Sequence, residues 1–99
     1  MYGLHGKISA ITGKRPALLE LLLQAAEAMQ ANPDCLIYIV SEDAADPEGI
    51  WVSEVWTSAE SHQASLAPEE TQALIAQARP LIAGMSDRAE LRTLGGKGL

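Results

Sequence analysis

Apolar and polar positions alternate over residues 2–12, with Tyr2, Leu4, Ile8 and Ala10 on one side and His5, Lys7 and Ser9 on the other. A period of two marks a half-buried strand, and Gly13 ends it. The period then lengthens. From Ala17 to Ala31, Leu18, Leu22, Ala25 and Met29 form one stripe while Glu20, Gln24 and Glu27 lie opposite, which predicts an amphipathic helix. Pro16 suits its first turn, where a missing N–H costs nothing. Asn32-Pro33 stops it, because the residue before a proline is pushed out of the α region.

Cys35 to Ser41 (CLIYIVS) is apolar on both faces and predicts a mostly buried strand. Glu42 to Gly49 (EDAADPEG) is a polar turn, and Ile50 to Thr57 is the hairpin partner. On that partner Ile50, Val52, Glu54 and Trp56 share one face, and Trp51, Ser53 and Val55 the other. Thr57-Ser58-Ala59-Glu60 has the form of a capping box that opens a short helix to about Leu66. Pro68 starts another, with Glu69 and Glu70 at its positive end and Leu74, Ile75 and Ala78 on its apolar side. Pro80 and Gly84 end it. Ala89 to Leu94 completes the pattern as a last strand. The order β-α-β-β-α-β is the ferredoxin-like α+β arrangement, an antiparallel sheet with helices on one face. Two of its strands are apolar on both sides, so the uncovered face needs a second cover. A second copy of the chain is the simplest one, which predicts a homodimer.

Length and charge narrow the function classes. Ninety-nine residues make one domain, 1–99, with a frayed glycine-rich tail from about Gly95. Seven basic residues against 13 acidic ones give a net charge of −6, which disfavours nucleic acid and anionic membrane surfaces. The one cysteine, Cys35, excludes an internal disulfide and reads as a small buried hydrophobe. No basic segment leads into an apolar leader, and no apolar run approaches the ~20 residues that span a bilayer, so the expected compartment is the cytoplasm. His5, His62 and Cys35 fall on three different elements with no metal-ligand spacing, and no glycine loop precedes a helix to cradle a phosphate.

The candidate chemistry gathers around the third strand. Glu54 and Trp56 are two apart and point the same way, and His62, early in the next helix, can lean back over them. An imidazole accepts a proton near neutral pH, and an indole offers a flat apolar wall. Simpler roles compete: Trp56 as a core residue, His62 as a partly exposed helical residue, and Glu54 as the partner of Lys7 or Arg92 on a neighbouring strand. His5 reads as structural.

The string Glu54 to Leu66 (EVWTSAESHQASL) resembles the antibiotic biosynthesis monooxygenase domain family, its quinol-monooxygenase-like members above all. Gly13-Lys14 before the first helix and Ala78 to Ile82 (ARPLI) are similar too. The resemblance implies a dimeric α+β barrel with a pocket between sheet and helices in each subunit. It also implies oxidation of a small aromatic phenol or quinol by O₂, without metal or flavin. In that type a strand tryptophan, an asparagine four residues before it and a tyrosine in the next helix line the pocket. Trp56 matches the first, Val52 replaces the second, and His62 stands where the tyrosine would be. His62 is then the candidate catalytic residue, and Trp56, Glu54 and Tyr38 the candidate substrate-binding residues. Haem-degrading cousins carry an asparagine on the first strand, a tryptophan in the helix after the third strand and a later iron-binding histidine. Here Gly6 occupies the first position, and the other two are missing. The alternative reading is a non-catalytic dimeric module that binds a hydrophobic small molecule, which the fold alone does not exclude.

Overall fold

The computed structural model describes all 99 residues. In chain order the elements are β1 (Tyr2–Ala10), α1 (Arg15–Ala28), β2 (Cys35–Glu42), β3 (Gly49–Trp56), α2 (Ala59–Ser65), α3 (Glu69–Ala78) and β4 (Ile82–Arg92). Single 3₁₀ turns follow α1 and α3. All strand pairs are antiparallel, in the order β2-β3-β1-β4, which is the ferredoxin-like topology.

The register fixes the two faces. Leu4, Gly6 and Ile8 lie opposite Glu54, Val52 and Ile50, and Tyr38 and Val40 lie beside Glu54 and Val52 from the far strand. This is the face that the helices cover. Its core is Ala10, Leu18, Ile50 and Val52, with Leu22, Val40 and Ile82 packed around them. Leu18, whose side chain is fully buried, drives α1 onto the sheet. Truncating such a leucine to alanine costs about 2–5 kcal/mol. Arg15, at the start of α1, donates to the carbonyl oxygens of Asp46 at 2.9 Å and Asp43 at 3.4 Å and pairs with Glu42, which ties the β2–β3 turn to the helix.

On the other face stand Ile37, Ile39, Trp51, Ser53, Val55, His5, Lys7 and Leu91. Ile39 and Leu91 are about half exposed there, at 52% and 50%. So β2 is an edge strand with only half-buried residues such as Tyr38 and Val40 on its helix side, and not the mostly buried strand that its run of apolar residues predicts. Cys35 is likewise only half-buried.

Several element boundaries differ from the sequence pattern. Helix α1 begins at Arg15, two residues before Ala17, and its last turn tightens to 3₁₀ over Met29–Ala31. The cap of α2 is Ser58, whose hydroxyl accepts from the Ser61 N–H at 3.1 Å. Thr57 instead donates its hydroxyl to Asp34 at 3.0 Å. Finally, β4 starts at Ile82, so Gly84 is a strand residue and not a helix stop. No helix is long and apolar enough to cross a membrane.

Candidate functional site

A cavity of about 220 Å³ opens between the sheet and the helices. Its apolar wall comes from Leu4 and Ile8 of β1, Val52 of β3, Leu22 of α1 and Met85 of β4. Its polar groups include Tyr38, Glu54 and His62, with Arg88 at the β4 side; His5, Lys7 and Ser86 also border it. Three of the four residues singled out from the sequence therefore meet in one space. The fourth, Trp56, does not line it: the residue is 1% exposed and lies against Glu54 and His62. The wall assigned to the indole is built from aliphatic side chains instead.

Trp56 acts on the site from behind. Its Nε1–H donates to Glu54 Oε1 at 3.0 Å, and the His62 ring meets the indole edge-on at a centroid distance of 5.5 Å. Tyr2 flanks His62 at 5.8 Å. His62 Nε2 lies 3.8 Å from Glu54 Oε1, too far for a direct hydrogen bond but within ion-pair range when the imidazole carries a proton. Both side chains are 15% exposed. Glu54 pairs with neither Lys7 nor Arg92, because Lys7 points to the opposite face and Arg92 stands across from Tyr2.

Burial governs the electrostatics. Desolvation pushes the Glu54 carboxyl above its ordinary value, and the Trp56 hydrogen bond and the charges of His62 and Arg88 offset this only in part. The Tyr38 phenol is driven upward as well, mainly by burial and further by the Glu54 charge, so it keeps its proton as a hydrogen-bond donor. The arrangement can hold an aromatic ring in an apolar slot, receive a proton on the imidazole and offer a neutral O–H to an anion.

The residue that sequence reasoning missed is Arg88. Between the pairs His5–Ala89 and Lys7–Ser86, β1 has one residue, Gly6, and β4 has two, Asp87 and Arg88. This is a β-bulge, a device that re-aims a side chain. Asp87 takes φ 52°, left-handed geometry that aspartate tolerates better than most residues. Arg88 lies directly over Gly6, where a Cβ would sit 3.4 Å from the arginine Cα.

An antiparallel sheet roofed by helices over an apolar cavity that holds a carboxyl and an imidazole defines a small-molecule-binding α+β module. The antibiotic biosynthesis monooxygenase family model matches residues 1–77, and the chain belongs to that family. Among solved structures it is similar to a protein of Chloroflexus aurantiacus assigned as an antibiotic biosynthesis monooxygenase, with 46% identity over 96% of this chain and 94% of that one and a TM-score of 0.89. A second such protein, from Deinococcus radiodurans, is 25% identical over 97% of this chain and 95% of that one, with a TM-score of 0.83. A third, from Caulobacter crescentus, is 20% identical over 95% of this chain and 90% of that one; its TM-score of 0.86 speaks to the fold alone. No curated protein matches the chain significantly. Family and neighbours together support a general monooxygenase-like role.

Proposed function

We propose that the chain is a cytoplasmic, cofactor-independent monooxygenase that oxidises a small aromatic phenol or quinol with O₂. The observation that carries this reading is the half-buried Glu54 carboxyl 3.8 Å from His62 Nε2, both on the wall of an apolar cavity. His62 takes the phenolic proton as general base. The resulting electron-rich anion gives one electron to O₂, which overcomes the spin barrier between triplet oxygen and a closed-shell ring. Recombination forms a C–O bond. Cleavage of the O–O bond leaves one oxygen atom on the ring carbon and releases the other as water, with the two hydrogens the substrate loses. Glu54 balances the charge gained by His62, Tyr38 donates its O–H to the substrate oxygen, and Trp56 holds Glu54 and His62 in place.

The open sheet face, with Ile37, Ile39, Val55 and Leu91, favours a homodimer in which a second copy covers it. Sedimentation at about twice the monomer mass is the expected result; a stable monomer at micromolar concentration removes the dimer from the account.

Val52 on the cavity wall supports the second reading, a non-catalytic dimeric binding module, since it puts no hydrogen-bonding group beside the substrate oxygen. A panel of hydroquinones assayed for O₂ uptake separates the two. Oxygen consumption with ¹⁸O entering the quinone product supports the monooxygenase. Clear binding of the same compounds without uptake establishes the binding module in its place.

A further inference from the structure

The bulge in β4 adds a cation to a cavity that the proton chemistry does not require to have one. Arg88 is 58% exposed at the cavity rim, and its one ion pair, with Glu90 at 3.2 Å, joins two exposed side chains two residues apart. Exposed pairs of this kind are weak and exchange readily. Lys7 also borders the cavity, but its ammonium is held by Asp46 at 2.8 Å and Asp43 at 3.4 Å, and Arg15 is held by Glu42 and the carbonyls of the β2–β3 turn. The chain carries a net charge of −6, so a positive group at the rim of an apolar slot is a local departure from its surroundings.

We propose that Arg88 is a specificity residue and that this cavity selects aromatic ligands bearing a carboxylate. The ring lies on Leu4, Leu22, Val52 and Met85, and the anion meets the guanidinium at the rim. The planar five-donor fork of arginine matches a carboxylate in two-point geometry, which a lysine would not provide. The bulge is what makes this possible. Without its extra residue Arg88 would lie on the open face with Ser86, and with it the side chain comes over Gly6, whose missing Cβ leaves the space. Glu54, deeper in the same cavity, keeps a ligand carboxylate from entering anion-first and so sets the orientation. The proposal rests on the reading of the cavity as the substrate site.

The test compares naphthoate with the neutral naphthylmethanol by titration calorimetry on the wild type, Arg88→Gln and Arg88→Lys. The expected result is a preference for naphthoate of roughly tenfold in the wild type, the usual worth of one charge-assisted contact. The preference disappears in Arg88→Gln, returns in part in Arg88→Lys and shrinks with added salt, while naphthylmethanol binds all three proteins alike. Equal binding of the two compounds by the wild type, or a preference that survives Arg88→Gln, overturns the assignment of Arg88 and leaves the cavity as an aromatic site. Failure of the wild type to bind either compound overturns both.

Discussion

The two faces of the sheet carry the same three kinds of side chain in two different electrostatic states. On the helix face Trp56 donates to Glu54 at 3.0 Å, with His62 against the indole. On the open face Trp51 donates to Asp43 at 2.9 Å, with His5 stacked on it at 5.1 Å. Asp43 also accepts the N–H groups of Ala45 and Asp46 and lies 3.4 Å from the Lys7 ammonium, so its carboxyl is held well below the usual range, the Trp51 bond being the largest cause. Glu54 has one hydrogen bond and a more distant imidazole, and burial lifts it. His5 is engaged by the Ser53 hydroxyl at 2.8 Å, whereas no side-chain hydrogen bond holds the His62 ring. An oversupplied carboxylate fixes a turn, and an undersupplied one beside a cavity is available to react.

The comparison can be broken by substitution, and the largest effect is expected at Trp56. Truncating this buried ring to alanine is expected to cost about 3–5 kcal/mol in chemical denaturation, while Trp51→Ala, on the half-exposed face, costs less. Next in size is the base. His62→Ala is expected to lower turnover of a hydroquinone by ~10²-fold in an oxygen electrode, and His5→Ala to leave it unchanged.

Smaller effects come from pH. Folded Glu54 keeps its proton above the ordinary value of 4.5. Over the window above that value the folded chain binds more protons than the unfolded one, so this residue makes stability fall as pH rises. Urea midpoints of Glu54→Gln are expected to lack that part of the decline as pH rises above 4.5. Asp43 has the opposite sign. Its contribution is present above 3.8 and is lost as pH falls toward its depressed value, so Asp43→Asn is expected to be less stable than the wild type at neutral pH and to converge with it in acid.

The alternation of β3 was legible because each of its side chains has one face to choose, and that choice put Glu54, Trp56 and the following His62 together. Pattern alone could not say that Tyr38 and the aliphatic residues line the cavity while Trp56 backs it, because both positions point to the same side and differ only in depth. The first half of β4 escaped for a local reason. Ile82 to Asp87 (IAGMSD) lacks alternation, Gly84 mimics a helix stop, and the bulge reverses parity halfway along the strand. Arg88 was hidden by that reversal. The cap of α2 was misread by one residue because Thr57 and Ser58 both carry hydroxyls, and only the contact of Thr57 with Asp34 decides between them.

The central claim is that one carboxyl of this matched pair is left short of partners and the other is not. It is tested most directly by following the side-chain ¹³C carboxyl shifts of Glu54 and Asp43 through one pH titration of the folded protein. The account predicts a Glu54 midpoint above the ordinary glutamate value of 4.5 and an Asp43 midpoint below the ordinary aspartate value of 3.8. A Glu54 that titrates at or below 4.5 would contradict it, and with it the distinction drawn between the two faces.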